Sequence, residues 1–234
     1  TNPSFLCKDF LKKILRTASF PGREVQIPVF CVRTSFKRHF TTLLIQRGDL
    51  TEDEELSIEE LIQLIRLHLP HLCEMYGGYG MYEFNDCERI LKDYGTVRER
   101  DKLRYDFENP KVYDPDNLPQ RFQIKKMTTF FREDFATTHM FEKELARQLK
   151  ISPLACAVRA VPGYHACGSE VFAPPPRKLL SNGDHVMLLV AYGRLKGRRL
   201  FEFQDSNGLW VGSRGFVKFA AGSNLITEFL VIDV

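Results

Sequence analysis

Apolar positions along this chain follow two different rhythms. Early on they recur at three- and four-residue spacing; after Pro153 they alternate or run continuously in short β-prone stretches. Val32, Phe36, Phe40, Leu43 and Leu44 line one broad face of a helix predicted over residues 31–45, with Gly48 as its stop. A second helix starts at Ser57. There Ser57 and Glu60 have the spacing of a capping box, Leu56 and Leu61 that of a hydrophobic staple, and Pro70 ends the element. Further helices are predicted over residues 81–94, capped by Gly95, and over 140–149. Strands are predicted over 154–161, 185–192, 198–204, 215–219 and 226–233, separated by turn residues. Helices first and strands second point to an α+β protein with segregated lobes. Pro110, Pro115 and Pro119 mark a crossing between the lobes, and Pro174, Pro175 and Pro176 a stiff surface insertion.

Composition narrows the class. The chain has 234 residues, 44% of them hydrophobic and 12% aromatic, which suits a packed globular protein. A formal net charge of +3 gives no indication of nucleic acid or of an anionic membrane as a partner. The charge runs near Glu52–Glu55 and Arg98–Arg104 read as solvated loops. No apolar stretch reaches the length of a membrane span, and residues 1–13 lack a secretory signal pattern. Six cysteines are present: Cys7, Cys31, Cys73, Cys87, Cys156 and Cys167. His68, His71, Cys73 and Cys87 match no tight zinc-ligand spacing, so neither metal nor cofactor is expected; Cys156 reads as core.

The last third carries a resemblance. Gly183-Asp184-His185-Val186 opens an apolar run that resembles the histidine strand of papain-like cysteine peptidases. The segment from Asp205 through Asn207, Gly208, Trp210 and Gly212 to Phe216 is similar to that family's Asn-Ser-Trp-Gly-x-x-Trp-Gly segment, one residue shorter. Upstream, Pro153 to Ala160, Gly77-Gly78-Tyr79 and Leu56-Ser57-Ile58-Glu59-Glu60-Leu61 resemble further family blocks in family order. The resemblance implies a papain-like two-lobe fold, with a helical lobe over 1–112 and an antiparallel, β-barrel-like lobe over 113–234. It also assigns Cys31, 26 residues before Ser57, as the nucleophile, His185 as its acid–base partner, Asp205 in the place of the orienting Asn, and Gln26 as the oxyanion donor.

That chemistry requires these residue types. A thiolate rather than a thiol attacks, and a helix N-terminus beside an imidazolium favours the anion. The imidazole protonates the leaving amine, a third group fixes its tautomer, and donors receive the oxyanion. The resemblance further implies that Gly78 pairs with the backbone of a protein or peptide substrate. Tyr79, Met81, Ala157, Asp184 and Val186 would line the cleft, with Glu228 at the base of the pocket for the residue two before the cleaved bond.

Three departures stand beside it. Val32 follows the nucleophile where the family has Trp, Asn207 replaces the Trp that shields the histidine, and Trp210 alone remains of that aromatic cover, so water is expected to reach the His185–Asp205 bond. Pro28 and Met75 occupy the two positions of a family disulfide. Paired loss of this kind points to an intracellular reducing compartment. Two functions therefore stand: a cysteine peptidase, or an inactive papain-like module that binds a protein partner, including one within a larger assembly.

Overall fold

The computed structural model describes residues 29–70, 86–102, 118–174 and 184–234, with side chains from residues 34, 87 and 185 onward at the starts of the first, second and fourth segments. Helix α1 (Val29–Arg47) comes first and ends at Gly48, whose φ of 87° supplies the left-handed turn. Helices α2 (Ile58–His68) and α3 (Asp86–Asp93) follow, then strand β1 (Lys126–Phe131), helix α4 (Thr138–Gln148) and strand β2 (Leu154–Arg159). Strands β3 (Val171–Phe172), β4 (Asp184–Leu195), β5 (Arg198–Gln204), β6 (Phe216–Ala220) and β7 (Ile226–Asp233) complete the chain.

The seven strands form one sheet in the order β1-β7-β2-β4-β5-β6-β3, antiparallel except for the β3–β6 pair. Among the described residues β1 and β3 are the edge strands and do not pair with each other, so the sheet does not close into a barrel. Central β2 explains the arrangement of the core. Ala155 and Ala157 face α1 to α3 in one apolar cluster, while Leu154, Cys156 and Val158 face α4 in another. A strand covered on both faces reads as continuous apolar sequence, as 154–158 does. The two alanines on the α1 side let Phe36 and Phe40 approach the sheet closely. On the other face, Phe130, Phe141 and Phe229 pack ring against ring at 4.8 and 5.4 Å.

Helix α1 lies at the centre of the molecule. Apart from Lys37, every residue from Thr34 to Leu44 is buried, polar ones included. Its hydroxyls find partners: Ser35 Oγ donates to Val186 O at 3.1 Å, Thr42 Oγ1 to Arg38 O at 2.8 Å, and Thr41 Oγ1 accepts from Leu56 N at 3.4 Å. His39 is wholly buried against Ser152 Oγ, 3.2 Å from its Nε2.

Several expectations shift in detail. The capping box at Ser57 forms only by half. Ser57 Oγ accepts from Glu60 N at 3.2 Å, but Ser57 N donates to Val97 O and the buried Glu60 carboxylate bonds Arg121 at 2.8 Å instead. A buried carboxylate takes the guanidinium rather than a backbone N–H that already has a carbonyl partner. Strands β1 and β3 were not foreseen: β1 buries only Met127 fully, and β3 has two residues. His68 stacks on Tyr94 at 3.8 Å and Cys87 is buried in the core; His71 and Cys73 lie outside the described residues. So do residues 1–28, 103–117 and most of the Pro174–Pro176 insertion.

Burial holds the His39 imidazole far down, at about 3. The unfolded imidazole takes a proton below about 6.5 that the folded one refuses. Stability from this group is therefore full above about 6.5 and is lost as pH falls toward 3, by up to about 1.4 kcal/mol per unit. Urea titrations between pH 7 and 4 should show wild type losing stability faster than His39→Gln; equal slopes would sink the assignment.

Candidate active site

His185 is the second residue of β4, and Asp205 follows directly on β5, its neighbour in the sheet. The two therefore meet at one end of adjacent strands. His185 Nε2–H donates to Asp205 Oδ1 at 3.1 Å, and Asn207 N–H donates to the same oxygen at 2.7 Å. A carboxylate only accepts, so the proton sits on Nε2 and Nδ1 is the ring nitrogen on the opposite side. Asp205 has no side-chain exposure and His185 only 12%.

The turn that delivers Asp205 is braced by backbone bonds. Asp205 N donates to Gly215 O, Gly215 N to Val211 O, and Gly212 N to His165 O, all within 2.8–2.9 Å. Gly212 has φ 54°, and a Cβ there would lie 2.3 Å from Phe216 O. Only glycine fits both constraints.

Opposite stands α1. Cys31 is its third described residue, one turn before Ser35, whose hydroxyl holds the carbonyl of Val186 immediately beyond His185. The backbone at Cys31 thus lies one helical turn from the point where α1 is bonded to the strand of His185. Ala157 is directly opposite Val186 on β4 and opposite Glu228 on β7, so three of the expected pocket residues form one row across the sheet. Asp184 occupies the first position of β4, paired with Arg159. Gln26, Gly78, Tyr79 and Met81 lie outside the described residues.

The surroundings of the imidazole differ from expectation. Trp210 does not cover the His185–Asp205 bond; it is 64% exposed and meets His165 edge-on at 6.2 Å. The ring beside His185 is Tyr164, at 6.3 Å between centroids. Nor is the bond open to water in the way the missing Trp implied, because Asp205 is fully enclosed. Asn207 sets its side-chain amide 3.4 Å from Nε2. The Nε2 proton is already committed to Asp205 Oδ1, so this is a polar contact beside the ring rather than a second hydrogen bond. The sequence reading missed Tyr164, the polar contact of Asn207, and a buried guanidinium, Arg38, two turns along α1 from Cys31.

No family model matches the chain, and no curated protein matches it. Solved structures do. A mite allergen structure from work on Blo t 1 and Der p 1 superposes with TM-score 0.64 at 17% identity, covering 87% of this chain and 64% of that one. Procathepsin B S9 of Trypanosoma congolense gives 0.65 at 14%, covering 98% and 76%. Bromelain of Ananas comosus, solved with the E64 inhibitor, gives 0.60 at 17%, covering 87% and 89%. The fold is that of the papain-like cysteine proteases. The chain thus spans under two thirds of the allergen's length. Among the described residues no helix is long and apolar enough to cross a membrane.

Gly212→Ala should lower folding stability by about 1–3 kcal/mol through backbone strain. Gly193→Ala, with ordinary φ and open space, should stay within about 0.5 kcal/mol. Denaturant unfolding of both variants checks this, and equal midpoints would refute it.

Proposed function

We propose that this chain is a degenerate papain-like cysteine peptidase that cleaves peptide bonds through Cys31, His185 and Asp205. The observation that carries the reading is the buried 3.1 Å bond from His185 Nε2 to Asp205, on a strand tied to the helix that bears Cys31. In this reading His185 Nδ1 takes the Cys31 proton, and the thiolate adds to the scissile carbonyl carbon. Gln26 and the Cys31 N–H receive the oxyanion. The C–N bond breaks as Nδ1–H protonates the leaving amine, and water, losing a proton to Nδ1, releases the acyl group from sulfur. Asp205 holds the ring in the tautomer that each step needs.

Gly78 pairs with the substrate backbone, and Tyr79, Met81 and Asp184 complete the cleft. The row Val186, Ala157 and Glu228 supports a pocket whose floor carries a carboxylate. The protein belongs in a reducing compartment: Pro28 and Met75 leave a family bridge unformed, and Cys156 and Cys167 are unbridged. One observation favours a second reading, an inactive module that binds a protein partner: Asn207, in place of the shielding Trp, adds a polar group beside Nε2.

Labelling with an epoxysuccinyl or iodoacetamide probe separates the readings. Burial raises the thiols of Cys156 and Cys167, so both react slowly. Cys31 should react at least about tenfold faster than any other thiol, keep reacting below pH 6, and slow in His185→Ala. Uniform reactivity would leave only the binding module. If labelling succeeds, Glu228→Gln should cut kcat/KM about tenfold for substrates with Arg two before the cleaved bond, and leave Phe substrates unchanged. An equal loss for both would remove Glu228 from the pocket.

A further inference from the structure

The turn after β5 is held on both sides of the Asn207–Gly208 peptide bond, but not at it. Asn207 N donates to Asp205 Oδ1 at 2.7 Å, and Gly208 O accepts from Val211 N at 3.3 Å. Between these, the Asn207 carbonyl and the Gly208 N–H take part in no hydrogen bond among the described residues. Both residues are half-buried and lie next to the exposed Leu209 and Trp210, so water reaches the peptide. We propose that Asn207–Gly208 is a deamidation site, at which the neutral amide beside the His185 ring converts to a carboxylate as the protein ages.

The chemistry needs a backbone nitrogen, the side-chain carbonyl carbon of the preceding residue, and water. Gly208 N gives its proton to solvent and bonds to Asn207 Cγ, closing a five-membered imide. The Cγ–Nδ2 bond breaks, and the amide nitrogen takes a proton and leaves as ammonia. One water then opens the imide at either carbonyl. The product is aspartate, or isoaspartate with the main chain running through Cγ. A hydrogen-bonded N–H and a side chain on the attacking residue both impede ring closure; Gly208 has neither. Its φ of 99° lies where glycine alone enters freely, so the turn itself requires the residue that bares this nitrogen. The sequence holds another Asn–Gly pair, Asn182–Gly183, outside the described residues, which serves as an internal comparison.

The consequence reaches the imidazole. The Asn207 amide is 3.4 Å from His185 Nε2, whose proton Asp205 Oδ1 already takes. A second carboxylate there favours the imidazolium, so the ring would hold its protons to higher pH. The groups around the ring include Asp205 and Asn207 from the turn after β5 and Tyr164 from the segment before β3, and Arg38 of α1 feels the Asp205 charge. Isoaspartate adds a carbon to the main chain between the Asn207–Asp205 and Val211–Gly208 bonds, and so would loosen the turn that carries Asp205. The conversion does not require the peptidase reading. Within that reading it would slow release of the His185 proton as the molecule ages.

The test follows the whole folded chain at neutral pH by peptide-mapping mass spectrometry, beside the same chain unfolded in urea. The peptide holding Asn207 should gain about 1 Da and split into two products, one of them open to isoaspartyl methylation. Folding should slow the conversion by no more than about tenfold, because no hydrogen bond at this peptide has to open first. Asn207→Gln should not convert on the same timescale, since its ring closure needs six members. Conversion confined to Asn182, or to the unfolded chain, would overturn the site. Asn207→Asp, read by NMR titration of the His185 ring, should raise its midpoint by about one unit. If that variant does not fold, wild type aged to conversion is titrated instead. An unmoved midpoint would overturn the effect on the imidazole. Absent Cys31 labelling with conversion at Asn207 would overturn the peptidase reading and leave the site standing.

Discussion

The chain buries Asp205 completely, and an enclosed carboxylate limits everything placed around it. One oxygen takes the imidazole and a backbone N–H, which fixes the ring tautomer and the turn after β5 together. The turn is then held by the glycines that follow, because Gly212 must pass within van der Waals range of Phe216. The strand carrying His185 is in turn fixed by Ser35 of α1. The buried charge, the loop geometry and the seating of the central helix are one linked arrangement. A change at any of them reaches the imidazole.

That linkage explains which parts of the site were readable from sequence. His185, Ala157, Val186 and Glu228 sit on strands and Asp205 directly follows one, so register with a neighbour fixes position and period-two patterning marks the face. The row across β4, β2 and β7 follows from that. Arg38 and His39 were not legible. An amphipathic reading assigns Arg and His to the water side of a helix, and α1 has almost no water side: sheet, α2 and the segment after α4 enclose it. Periodicity reports which face is apolar. It does not report that the polar face is also covered, since that depends on strands more than a hundred residues later.

The misplaced capping partner has the same origin. Ser57 caps α2 as its spacing indicates, yet Glu60 turns to Arg121, 61 residues on, and becomes part of the core. Local rules gave the element and its start; a tertiary ion pair decided the side chain. β1 escaped for the opposite reason. Among the described residues it is an edge strand paired with β7 alone, and its two faces differ too little in burial to impose an alternation on the sequence.

Identity with papain-like structures is only 14–17% at TM-scores of 0.60–0.65, so a similar fold is built from largely different side chains. Cores allow this when volume and patterning are kept, so the fold places no constraint on whether the chemistry survived. The site does carry a constraint. Asp205 sets a buried carboxylate, and Asn207 a polar amide, beside the same imidazole. Neither is tolerable alone in a dry interior. The carboxylate takes the imidazole and the Asn207 N–H on one oxygen, and the amide lies 3.4 Å from the same ring nitrogen. Here the imidazole, the carboxylate and the amide meet in one enclosed cluster drawn from β4 and the turn after β5, and that order of the imidazole is a property of the packing, separate from any chemistry it performs.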